Sequence, residues 1–229
     1  MPFSDEALAR LRADAADIVG RYPRARSALL PLLHLVQSEE GYVSDDGIAF
    51  CAGVLGITET ETRGVASFYT MYKHAPVGEY QVGVCTNTLC AIMGGDEIYA
   101  ALAEQLGADP HADGHHDIIS ADGKVGLERV ECNAACDYAP VVMVNWEFFD
   151  NQTPDSARKL VDDLRAGNDV RPTRGPRRLC TWKQASRILA GFGDGQAADG
   201  PSAGPASLVG LELAKEHGWT APAPAGGTK

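Results

Sequence analysis

Four of the six cysteines in this chain stand in two tight pairs, Cys85-x4-Cys90 and Cys132-x3-Cys136. Each pair puts two thiols on one loop, and the 41 residues between the pairs leave room for a helix and a strand. A fold that brings the two loops together would present four soft sulfur donors, the set a [2Fe-2S] centre takes. Structural zinc sites favour C-x2-C knuckles, a thioredoxin-type redox motif needs C-x-x-C, and plant-type ferredoxins need C-x4-C-x2-C with a distant fourth cysteine. Of these, only the C-x4-C gap occurs here. Spacing alone leaves zinc and unligated thiols open beside the cluster. Disulfides would need an oxidising compartment, and Met1 to Arg12 has no apolar run of the signal-peptide kind, so a reducing cytosol is expected.

Composition narrows the partners. The 31 acidic residues exceed the 20 Lys and Arg, for a formal net charge of -11. Such a body repels nucleic acid and anionic lipid and suits a basic protein patch. The densest apolar stretch, Pro140 to Val144, is strand-sized and far below a membrane span, so no direct membrane insertion is expected.

Three regions separate by pattern: an N-terminal helical domain over 1–75, a mixed domain over 76–167 and a tail over 168–229. In the first, Leu8, Leu11, Ala15, Ile18 and Val19 make one apolar stripe, and Leu29, Leu32, Leu33 and Val36 begin a second. Ser44 caps a third helix carrying Ile48, Cys51, Ala52 and Leu55, with Cys51 read as core. Thr58-x-x-Glu61 is a capping box for a fourth, with Val65 and Phe68 on its apolar face. In the second region, a strand over 80–84 runs into Cys85, and Gly94-Gly95 opens a helix with Ile98, Leu102 and Leu106 on one face. A strand over 125–130 leads to Cys132, another follows the turn at Asp137 to Pro140, and Thr153-Pro154 starts a helix that ends at Gly167. The order β-α-β-β-α predicts a thioredoxin-like layer of sheet and helices behind a helical bundle.

The tail opens with Arg171, Arg174, Arg177, Arg178, Lys183 and Arg187, with no acidic residue between the first and the last. It then becomes rich in Gly, Ala and Pro, which predicts an extended or partly disordered strap with one short helix between Leu208 and Trp219. His111, His115 and His116 sit in a polar stretch and read as a solvated loop rather than as Rieske-type ligands. Cys180 is assigned no chemistry.

The motifs in order are Phe68-Tyr-Thr-Met71 with Pro76-x-Gly78, Val84-Cys-Thr-Asn-Thr-Leu-Cys90 with Gly94, and Glu131-Cys-Asn-Ala-Ala-Cys136 with Ala139-Pro140-Val141. Together they resemble the E-subunit family of NADH:quinone oxidoreductase, respiratory complex I, over roughly residues 27–167. The resemblance implies a helical domain followed by a thioredoxin-like ferredoxin domain, with one [2Fe-2S] cluster on Cys85, Cys90, Cys132 and Cys136. It also implies FMN and NADH on a partner protein, contacts with other peripheral-arm subunits, and a place at the cytoplasmic face of the membrane. The chain itself has no G-x-G-x-x-G after a strand, so it is read as an electron-transfer subunit without a complete active site. The same pattern suits the matching subunit of an NAD-reducing hydrogenase or NAD-linked formate dehydrogenase, and a zinc-holding scaffold is the non-redox alternative.

Two expectations concern the site itself. The family commonly has Leu-Gly where this chain has Asn133-Ala134. Alanine would have to meet a left-handed backbone there at a cost of about 1 kcal/mol or more. Backbone N–H groups over 86–89 and 133–135, with the Thr86 and Thr88 hydroxyls, are the donors expected to favour the reduced, more negative cluster. Asp96, Glu97, Glu131 and Asp137 oppose it, which predicts a potential in the lower half of the roughly -700 to +450 mV range of such clusters.

Overall fold

The computed structural model describes residues 3–109, 118–197 and 199–221. His111, His115 and His116 lie outside the described residues. Four helices come first: α1 (Asp5–Gly20), α2 (Leu29–Glu40), α3 (Asp45–Leu55) and α4 (Glu59–Phe68). Their starts are set locally. Ser4, Ser44 and Thr58 each accept a backbone N–H of the first turn, and Thr58 with Glu61 forms a reciprocal capping box. Gly41 and Gly56 end α2 and α3 in left-handed conformation. The predicted stripes meet in one core of Leu11, Ile18, Leu32, Leu33, Val36 and Ile48, with Cys51 buried among them. Phe68 departs from expectation: it ends α4 at 78% exposure, and only Val65 of that pair packs against the core.

The second unit is a five-stranded sheet of order β2-β3-β1-β4-β5. It comprises β1 (Tyr80–Cys85), β2 (Ile118–Ile119), β3 (Val125–Val130), β4 (Val142–Val144) and β5 (Glu147–Phe149), with β1 and β3 parallel and the other neighbours antiparallel. Between β1 and β2 run α5 (Thr88–Ile92) and α6 (Gly95–Gln105), and α7 (Pro154–Ala166) follows β5. Ile98 and Leu102 of α6 and Leu160 and Val161 of α7 pack on Val82, Val84, Val125, Leu127, Val142 and Val144. The arrangement is the thioredoxin-like α+β fold expected from residue order. Two short strands were not foreseen. The β4–β5 hairpin turns on Asn145 and Trp146, both at positive φ (49° and 76°), the turn geometry that normally announces itself as Asn-Gly.

The tail is where expectation and structure differ most. Residues 182–189 form α8 (Trp182–Leu189), capped by Thr181 and packed along α2, with Trp182 at 1% exposure. Its basic residues are used internally: Lys183 Nζ donates to Glu39 O at 2.7 Å, and Arg187 pairs with Asp14 at 2.7 Å. A last helix, α9 (Pro205–Glu216), buries none of its residues.

Candidate metal centre

The strands deliver the cysteines. Parallel pairing of β1 with β3 sets Cys85 opposite Val130, so the loop after β1 and the loop after β3 leave the same end of the sheet side by side. Cys90 lies within α5. Gly95, at the start of α6, lets the helix close on this loop, because a Cβ there would lie 2.5 Å from Cys85 O and 2.9 Å from Cys90 O. Asn87 occupies the N-cap of α5 yet does not cap it; its amide instead donates to Glu131 Oε2 at 3.0 Å, joining the two cysteine loops.

Cys85 and Cys90 are buried beside Ala135, Ala139 and Val141, with Val130 and Phe148 at the edge, whereas Cys132 and Cys136 are exposed. The Sγ atoms of Cys132 and Cys136 lie 3.7 Å apart. Two sulfurs on one tetrahedral metal with bonds of about 2.3 Å would be separated by about 3.8 Å. The donor pair therefore fits a metal as it stands. Among the described residues no three Cys, His, Asp or Glu groups close on a single ion. The thiols stand as two neighbouring pairs, with Cys85 and Cys136 both close enough to Cys90 to perturb it.

The electrostatics reflect that crowding. Burial pushes the Cys90 thiol up to about 11; the Val141 backbone N–H acts in the opposite direction by bonding to the sulfur, and Cys85 and Cys136 add to the rise. Cys136 is also raised, first by its hydrogen bond with Cys132, with smaller contributions from local desolvation, the neighbouring thiols and the Asp137 carboxylate. A metal bound by these thiols would reverse this balance, because metal-bound thiols are held as thiolates.

The backbone supplies donors, in part where they were expected. Ala134 N–H points to Cys132 Sγ at 3.4 Å, within the stretch 133–135. The Val141 donor was missed, because it reaches Cys90 only in the folded chain, where Cys85 N–H donates to Val141 O at 3.1 Å. Ala134 itself has φ 53°, the left-handed backbone anticipated from its substitution for glycine. The carboxylates are less free than residue order suggests: Asp96 pairs with Arg129, Glu131 accepts from Asn87, and Asp137 accepts from the Ser207 hydroxyl.

The family model for thioredoxin-like [2Fe-2S] ferredoxins matches residues 15–165, which span both cysteine loops. The chain belongs to the thioredoxin-like [2Fe-2S] ferredoxin family. A [2Fe-2S] cluster is accordingly its cofactor. The resemblance read from the cysteine flanks is borne out by relatives within the family. The E subunit of NADH-quinone oxidoreductase from Mycobacterium tuberculosis is 56% identical over 221 residues, covering 96% of this chain and 85% of that protein. NADH-quinone oxidoreductase subunit 2 of Thermus thermophilus is 38% identical over 143 residues, covering 62% of this chain and 76% of its own length. The fold also matches a solved NAD+-reducing [NiFe]-hydrogenase in the air-oxidised state, with a TM-score of 0.52 and 19% identity. That match covers 61% of this chain and only 23% of the hydrogenase chain.

Proposed function

We propose that this chain is the electron-transferring E subunit of an NADH:quinone oxidoreductase, and that Cys85, Cys90, Cys132 and Cys136 hold its [2Fe-2S] cluster. The observation that carries the ligand assignment is the convergence of two thiol pairs at the shared end of β1 and β3, one pair spaced 3.7 Å apart. When bound, the cluster takes up and returns one electron. The residues around it prepare that exchange. Cys85 and Cys90 anchor the buried side, out of contact with water, while Cys132 and Cys136 turn the other side to the surface. The Ala134 and Val141 amides offset negative charge at the sulfurs and so ease reduction.

Membership of a multisubunit oxidoreductase follows from the relatives. The partner in this reading is the subunit that binds FMN and NADH, with other peripheral-arm subunits beside it. Ile92, at 78% exposure, with Leu89 and Met93, lies on or next to α5 near Cys90 and offers an apolar patch for that partner. In this reading residues 1–75 form the helical domain, residues 76–167 carry the cluster, and the complex sits at the cytoplasmic face of the membrane. Among the described residues no helix is long and apolar enough to cross a membrane.

The test is iron and acid-labile sulfide content of anaerobically purified protein, with low-temperature EPR before and after chemical reduction. Two irons, two sulfides and a signal on reduction are expected. Serine at Cys85, Cys90, Cys132 or Cys136 should abolish or grossly alter that signal, whereas Cys51→Ser and Cys180→Ser should leave it intact. Bound zinc in place of iron would favour the scaffold reading, and a normal cluster in any of the four variants would remove that residue from the ligand set.

A further inference from the structure

Beyond the family domain, the chain returns to the metal centre. After α8 it runs back toward β5: Gly175 N–H donates to Pro201 O at 3.0 Å, and Arg177 Nε donates to Asp199 O at 2.9 Å. It then crosses the turn that follows Cys136. Ala206 N–H donates to the Tyr138 hydroxyl at 3.2 Å, and the Ser207 hydroxyl donates to the Asp137 carboxylate. The approach is as close as backbone allows, for a Cβ on Gly204 would stand 2.2 Å from Tyr138 Oη.

Tyr138 is fixed from its other sides as well. Its backbone N–H donates to Ala135 O at 3.1 Å, and its carbonyl accepts from Asn151 N–H at 2.9 Å. The Arg174 guanidinium lies 5.5 Å from its ring centre and 4.5 Å from that of Phe148, and it pairs with buried Asp150 at 2.7 Å. Phe148 in turn packs against the apolar cluster that holds Cys85 and Cys90. Since α9 buries none of its own residues, contacts with the Cys136–Tyr138 turn hold the start of that helix in place.

We propose that residues 199–207 are a strap latched over the Cys132–Cys136 loop, and that Tyr138 is the positioning residue through which the strap holds this exposed pair. The inference rests on the proposed ligand set for its redox consequence. Its structural part stands apart from it. The latched strap stands against Tyr138 at the edge of the loop, and water admitted where it stands would stabilise the additional negative charge of the reduced centre. Release of the strap should therefore raise the potential.

Gly204→Ala tests this with a substitution outside the loop, because the added methyl and the Tyr138 hydroxyl must move apart and the contact between strap and turn is loosened. In the full chain, hydrogen exchange at the amides of residues 136–139 should quicken about fivefold, the opening expected from losing one hydrogen bond of about 1 kcal/mol. The midpoint potential should rise, and Tyr138→Phe should act in the same direction. The double variant should go no further than either single one, since both cut the same link. Wild-type exchange and potential in Gly204→Ala, or strictly additive effects in the double variant, would overturn the strap. Should Tyr138→Phe fold poorly, Ser207→Ala, which cuts the neighbouring link to Asp137, should quicken the same exchange, and unchanged exchange would overturn the strap. Exchange can be read without metal, so a wild type that takes up no cluster would defeat the proposed function while the strap is still judged on its own result.

Discussion

At the scale of single residues, Ala134 is the position where chemistry and backbone disagree. Its φ of 53° suits glycine, while its N–H serves Cys132 Sγ. Left-handed backbone costs a non-glycine residue about 1–2 kcal/mol, and an added glycine costs about 0.4–1 kcal/mol through the unfolded chain. Ala134→Gly should therefore stabilise the protein by a net of about 0.5–1 kcal/mol in denaturant unfolding. A loss of stability would mean that the strain is not there. The departure from Leu-Gly was visible in the residues themselves, because a methyl group in place of glycine matters most where φ is positive. The Asn87–Glu131 bond was not visible: 44 residues separate the two, and only adjacency of β1 and β3 makes them neighbours.

At the scale of elements, α8 decides how the helical bundle meets the sheet. Trp182 Nε1 donates to Gly41 O at 2.7 Å while Lys183 reaches Glu39 O, so α8 satisfies carbonyls at the C-terminal end of α2 from 144 positions away in the case of Lys183. Buried Gln37 donates to Met71 O and the Ser186 hydroxyl and accepts from Lys73 N–H, which ties the linker between bundle and sheet to α2 and α8 at once. On the sheet side, Asn145 Nδ2 donates to Cys180 O at 2.8 Å, and Trp146 packs on Trp182 with ring centres 5.5 Å apart. The same indole thus holds the left-handed β4–β5 turn. Trp182→Ala should cost about 3–5 kcal/mol of stability. It should also speed amide exchange in the last turn of α2 and at Asn145; a cost below about 1 kcal/mol with unchanged exchange would show that α8 is dispensable. The glycine-, alanine- and arginine-rich composition of the tail concealed this helix, since its eight residues carry one indole whose burial depends entirely on two distant surfaces.

At the scale of the whole molecule, stability should depend on acidity through His34. This ring is buried against Tyr72, with centroids 4.8 Å apart, and its Nδ1 has no hydrogen-bond partner. Burial lowers its pKa from 6.5 to about 4. The unfolded chain then binds the proton more readily, so the stability contributed by neutral His34 is present above pH 6.5 and is lost as pH falls toward 4. At about pH 5 the loss should be about 2 kcal/mol relative to about pH 7.5. His34→Phe should flatten that part of the pH–stability profile measured with urea, and an unchanged slope would assign the acid limb to other groups. Residue order alone specified most helix caps, the apolar stripes apart from Phe68, three of the five strands in their order, and the two cysteine pairs. Each of these is written in neighbours a few positions apart, where hydrogen-bond reach and side-chain periodicity act directly. The burial of one thiol pair and exposure of the other, the Val141 donor, the clamp at Trp182 and the strap at Tyr138 needed the folded chain. They join residues tens to more than a hundred positions apart, and such contacts arise from how finished surfaces fit, for which local sequence carries no periodic signal.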